Sequence, residues 1–147
     1  MPARYLIVAS RFNDFVTKAL LSGAHETFAE AGVRDVEVLW VPGCFELPTV
    51  AAQAARSKRF AAVVCLGAVI RGETPHFDYV AGECARGIMR AGLDTGTPVI
   101  FGVLTTDTTE QALSRCGIKG GNNGSHAAHA ALAMAKTMSR LEELTKS

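Results

Sequence analysis

Residues Ala61 to Tyr79 read AAVVCLGAVIRGETPHFDY. From Ala61 to Ile70 the run is continuously apolar, at both sets of alternating positions. A run that short, with no polar face, suits a central strand of a parallel sheet, which is covered on both sides. Arg71-Gly72-Glu73-Thr74-Pro75-His76 ends it abruptly. A helix is predicted next, from about Asp78 to Gly92, with Val80, Cys84 and Ile88 on one stripe and Ala81, Ala85 and Met89 on the next. Strand, glycine-containing polar loop, then helix is the arrangement in which open α/β sheets bind ligands at the carboxyl ends of their strands.

Toward the N-terminus, Tyr5-Leu6-Ile7-Val8-Ala9 reads as a first strand, closed by Ser10 to Asp14. Asn13 or Asp14 can cap the helix that follows. That helix is predicted from Phe15 to Ala31 on the stripe Val16, Leu20, Ala24 and Phe28, and Gly32 stops it. Val36 to Val41 is a second strand, broken by Pro42-Gly43. The loop Cys44-Phe45-Glu46-Leu47-Pro48 leads into a helix from about Pro48 to Ser57. Toward the C-terminus, Pro98 to Leu104 is a fourth strand. Thr105 to Thr108 offers caps for a short helix reaching about Arg115, and Gly117, Gly120, Gly121 and Gly124 make a flexible segment. A last helix is predicted from Asn123 to Leu144.

The order βαβαβαβ with right-handed crossovers predicts a three-layer α/β/α sandwich on a four-stranded parallel sheet. No repeat or linker interrupts it, so a single domain over residues 1–147 is expected. A sheet this narrow has two open flanks, to be covered by helices or by other subunits.

Hydrophobic residues make up 48% of the chain and charged residues 20%, which supports a packed core and argues against disorder. A net charge of +1 gives no electrostatic case for nucleic acid or an anionic membrane. No apolar run approaches a membrane span and no secretory h-region opens the chain, so a cytoplasmic protein is expected. Cys44, Cys65, Cys84 and Cys116 are scattered without a CxxC pair, which argues against a disulfide framework or a zinc site, and Cys65 and Cys84 read as buried small hydrophobes. His126 and His129 are spaced i,i+3 but lack a Glu or Cys at ligand spacing, so they read as a helix face and no metal is expected. His25 reads as structural. Neither GxGxxG nor GxxxxGK[ST] is present, nor a serine in a nucleophile elbow.

Four polar loops follow four strand ends: Arg11 to Asp14, Gly43 to Glu46, Arg71 to His76 and Thr105 to Thr108. Parallel strands place all four on one edge of the sheet. His76 is the acid/base candidate there, because imidazole both gives and takes a proton near neutrality. On its own it reads rather as a surface loop histidine; its place at a central strand end is what balances the two readings. Glu46 can accept from ligand hydroxyls or simply favour a helix N-terminus. Phe12, an aromatic in a polar loop, either stacks on a planar ring or belongs to the core, and Phe101 within a strand reads first as core. Glu73 and Thr74 approach a helix start, where backbone N–H groups can receive a phosphate. Arg71 or Arg115 can supply the counter-charge, and each reads equally as a solvated charge.

Taken together, SRFND, VPGCFELP, LGAVIRGETPHFDYV, PVIFGVLTTDTTEQALSRCGIKGGN and the alanine-rich last helix closely resemble the lumazine synthase family, from about Tyr5 to Met138. The resemblance implies a flavodoxin-like fold. It also implies condensation of 5-amino-6-(D-ribitylamino)uracil with 3,4-dihydroxy-2-butanone 4-phosphate, without metal or organic cofactor. It implies that Phe12 stacks on the pyrimidine, that Cys44, Phe45 and Glu46 hold the ribityl chain, and that Ala68, Val69 and Ile70 line the ring pocket. Glu73 and Thr74 then bind the butanone phosphate through backbone amides, and His76 carries protons. Phe101 and Arg115 match positions that a neighbouring subunit contributes, with Arg115 facing the phosphate. A homo-oligomer is implied (pentamer, decamer or sixty-subunit shell), with riboflavin synthase as a candidate partner. The chain departs from the common pattern at Asn123, where many members have lysine, and at His126, where many have an acidic residue. Those two changes motivate an alternative, a catalytically weak flavin- or lumazine-binding relative. An FMN carrier fits less well, because Phe12-Asn13-Asp14 replaces the Ser/Thr-rich run that wraps FMN phosphate.

Overall fold

A computed structural model describes residues 2–118 and 120–146. Four parallel strands form one sheet: β1 (Arg4–Ser10), β2 (Asp35–Val41), β3 (Ala62–Ile70) and β4 (Val99–Thr106), in the order β2-β1-β3-β4. Helices α1 (Asp14–Glu30) and α5 (Asn123–Thr145) cover one face. Helices α2 (Leu47–Arg56) and α3 (His76–Thr95) cover the other, and the short α4 (Thr109–Leu113) follows β4. This is the expected flavodoxin-like three-layer α/β/α sandwich.

The apolar run of β3 is explained by its place between β1 and β4. Ala62, Val64, Leu66 and Ala68 point to the α1/α5 side, and Val63, Cys65 and Val69 to the α2/α3 side. Period-2 alternation therefore needs apolar residues at every position. On the first face Val16, Leu20, Ala24 and Phe28 of α1 pack against Ala127, Ala128 and Ala131 of α5. The helices approach so closely that a Cβ on Gly124 would collide with the Leu20 carbonyl. On the second face Leu47, Ala51 and Ala55 of α2 and Cys84 and Ile88 of α3 are buried.

Several boundaries differ from the sequence reading. Helix α3 begins at His76 rather than Asp78, because Pro75, with φ −71°, takes the N-cap position. Thr105 and Thr106 are not a loop: they pair with Val69 and Ile70 and extend β4 beyond Leu104. The helix after Thr108 stops at Leu113, two residues short of Arg115. Among the described residues no helix is long and apolar enough to cross a membrane.

Candidate functional site

The strand order reverses between β1 and β3: the chain leaves β1 for β2 on one side and returns to β3 on the other. In open α/β sheets the crevice beyond the carboxyl ends at that reversal is where ligands sit. Here it opens as a cleft of about 660 Å³.

The β1–α1 turn forms one wall. Arg11 N donates to Val41 O at 2.8 Å and Phe12 N to Pro42 O at 3.1 Å, which fasten the turn to the end of β2. Asn13 then adopts the left-handed region, φ 62° and ψ 42°. It occupies the N-cap of α1, but its side chain does not cap. Its Nδ2 crosses the sheet and donates to Ala68 O at 3.2 Å, tying the turn to β3. Phe12 is left 72% exposed on the cleft wall, so it is not a core residue.

The second wall follows Pro42-Gly43. Cys44 to Glu46 form a 3-10 turn closed by Glu46 N donating to Gly43 O at 3.2 Å. Cys44 is buried on the cleft floor and its Sγ donates to Ser10 Oγ at 3.5 Å. Phe45 and Glu46 line the rim. A Cβ on Gly67 would lie 2.5 Å from Ser10 Oγ and 2.7 Å from Cys44 Sγ, so only glycine lets β3 pass beneath this turn.

Ala68, Val69 and Ile70 supply the third wall, and Thr74 and His76 close it. His76 is the first residue of α3, and its N–H donates to Thr74 Oγ1 at 3.4 Å. Its imidazole stands in the cleft with no hydrogen-bond partner among the described residues, and the same is true of the Glu46 carboxylate.

Nine of the twelve expected residues thus share one cleft: Phe12, Cys44, Phe45, Glu46, Ala68, Val69, Ile70, Thr74 and His76. Glu73 is exposed and lies outside its lining. Phe101 sits on the edge strand β4, 44% exposed rather than core, and Arg115 follows α4, exposed, its Nη1 donating to Gln111 O at 2.8 Å. Neither reaches this cleft. Of the four strand-end loops, the one after β4 shares the edge but not the lining.

Phe77, Tyr79 and Val80 also line the cleft, and no role was read for them from sequence. Counting the helix from His76 puts Tyr79 and Val80 three and four positions on, on the histidine's own face.

Arg71, one of two expected counter-charges, is committed elsewhere. Its Nε donates to Asp107 Oδ1 at 2.9 Å and its Nη2 lies 3.5 Å from Asp78 Oδ1. The hydrogen bond to Asp107, helped by the field of Asp78, pushes Arg71 above its usual value. Burial raises the Cys44 thiol, against the opposing effect of its hydrogen bond with Ser10, and pushes the Cys84 thiol up to about 12. Burial raises Cys65 further still. A nucleophile needs the thiolate, and these groups are held as thiols. Among the described residues no three His, Cys, Asp or Glu side chains cluster as metal ligands.

The fold and cleft define an α/β protein with an open cleft at the switch point of its sheet, between an exposed aromatic ring and an imidazole. Residues 2–139 match the family described as 6,7-dimethyl-8-ribityllumazine synthase. The chain belongs to that family, transferases of small molecules that form the lumazine of riboflavin biosynthesis.

Proposed function

We propose that the protein condenses 5-amino-6-(D-ribitylamino)uracil with 3,4-dihydroxy-2-butanone 4-phosphate to give 6,7-dimethyl-8-ribityllumazine, phosphate and water. The observation that carries this reading is the convergence of Phe12, Glu46 and His76, from three separate loops, on one cleft.

Phe12 offers a flat face for the pyrimidine. Glu46 accepts hydrogen bonds from ribityl hydroxyls, with Cys44 and Phe45 beneath the chain. Ala68, Val69 and Ile70 bound the ring. Thr74 and the N-terminus of α3, which its N-cap Pro75 leaves without a side-chain cap, receive the phosphate, since the helix dipole favours an anion there. Glu73 would act through its backbone. The uracil amine adds to the ketone and loses water to form an imine, phosphate leaves, and ring closure expels a second water. Each step moves protons, and His76 is placed to donate and accept them. Holding two reactants in register supplies the larger part, up to roughly 7–11 kcal/mol.

The active form in this reading is a homo-oligomer, at least a pentamer. It is supported by two residues that their own cleft does not use: Phe101, exposed on an edge strand, and Arg115. Each would complete the cleft of an adjacent copy, Arg115 facing the phosphate. Purified protein given both substrates should release phosphate and lumazine in equal amounts. Binding of lumazine or riboflavin without turnover would support the alternative, a weakly catalytic binding relative. That alternative rests on Asn123 and His126, which stand where the family pattern commonly has a lysine and an acidic residue; Asn123 opens α5 with its N–H donating to Arg115 O at 2.8 Å.

A further inference from the structure

Arg71 leaves β3 one residue beyond Ile70, and its N–H donates to Thr106 O at 2.8 Å, adding a rung to the β3–β4 ladder. Its guanidinium then meets two other segments. It lies over the Phe77 ring, 4.4 Å from the centroid, and faces Asp78, both in the first turn of α3 immediately after His76. On the other side it grips Asp107, in the turn before α4. From there the bonds continue. Asp107 N donates to Gln111 Oε1 at 2.8 Å, and Gln111 N to the Thr108 N-cap at 3.1 Å. Arg115 Nη1 donates to Gln111 O.

Both ends of this chain need outside support. Pro75 gives α3 no side-chain cap. Helix α4 has five residues, far too few to persist alone. Half-exposed ion pairs contribute little to global stability. Their value here is geometric: a planar, forked cation can stack on one ring while bonding in fixed directions, which an ammonium cannot copy.

We propose that Arg71 is a positioning residue: one joint that registers the His76-bearing turn of α3 against the turn that carries α4 and Arg115. The kinetic part of this rests on the reading of the cleft given above. Where Arg115 serves an adjacent copy, the same joint ties one cleft to the next.

The test uses the full-length protein, wild type and the variants Arg71→Met, Arg71→Lys, Asp107→Asn and the double variant. Hydrogen exchange by mass spectrometry reads the joint without any substrate. Exchange should rise about tenfold at residues 77–80 and 111–115 together in Arg71→Met, and stay unchanged in α2. Unchanged exchange at either segment overturns the joint, whether or not the protein makes lumazine. Kinetics reads its use. Arg71→Met should lower kcat about tenfold with KM for the aminouracil within about twofold, and Asp107→Asn should raise KM for the phosphate substrate. The double variant should lose less than the product of the single losses. Full rescue by Arg71→Lys, or strictly multiplicative losses, would overturn it. An inactive wild type with the expected exchange pattern would sink the proposed reaction and leave the joint standing.

Discussion

The two ends of the sheet both open into clefts, about 660 Å³ at the carboxyl end and about 510 Å³ at the amino end. At the amino end several polar groups are tied to one another or to backbone. Lys58, itself left-handed at φ 60°, donates to the Thr95 carbonyl and to Thr97 Oγ1, and Thr97 Oγ1 donates to Ala55 O at 2.9 Å. Arg4 pairs with Asp35 at 2.8 Å and lies over Phe60. At the carboxyl end Glu46 and His76 face the cleft unpaired, and Phe12 stands in solvent. Cavity size does not separate the two ends, and neither does the bare presence of free groups, since Ser139 and Glu142 line the amino-end cleft without a side-chain partner among the described residues; an imidazole and a largely exposed aromatic ring beside a free carboxylate occur only in the carboxyl-end lining. A polar group that is already bonded stabilises the fold, and one left free beside an apolar wall is available to a ligand.

Substitutions at the two ends should therefore fail in different ways. The largest effect is expected for Arg115→Ala, about 10³-fold in kcat/KM for the phosphate substrate, the loss typical of removing one preorganised electrostatic donor. Steady-state assays with that substrate varied read it, and a loss confined to the aminouracil KM would contradict it. His76→Ala should lower kcat by about 10²-fold, at the modest end of acid/base contributions, with substrate binding nearly intact. A variant retaining the full rate would remove His76 from proton transfer. Alkaline pH tests the thiols behind the cleft. The folded state holds Cys84 protonated up to about 12 while the unfolded chain ionises near 9. Above pH 9 the unfolded state then binds fewer protons, so stability falls as pH rises, by up to about 1.4 kcal/mol per pH unit for this group. Urea titrations from pH 8 to 11 measure the slope, and Cys84→Ala should reduce it by that group's share, leaving the share of Cys65 and Cys44. The smallest effect lies at the opposite end: Thr97→Val should cost about 1 kcal/mol of stability and leave kcat unchanged. A change in turnover there would erase the distinction between the two ends.

The fold was legible because β3 is apolar at every position and breaks off at Arg71-Gly72, as β2 breaks off at Pro42-Gly43. The walls of the cleft were legible through the same breaks. Three features were not. Thr105 and Thr106 look like loop residues, and only pairing with Val69 and Ile70 makes them strand. The exposure of Phe12 depends on a left-handed backbone at Asn13 and a bond to Ala68, 55 positions away. Arg71 reads as a phosphate ligand until Asp107, 36 positions on, takes its Nε. In each case a distant partner overrides the local pattern.

The pairing of β1 with β3 has a kinetic consequence. It joins Tyr5 to Ala62, with all of α1, β2 and α2 between them. Closing a loop of that length precedes the contacts that reward it, so this step belongs to the slow part of folding. Phe12 stands in the turn that follows one of these strands, and Ala68 lies on the other. The cleft walls come together only when these two strands pair, so ligand affinity gained during refolding should mark the moment the two central strands meet.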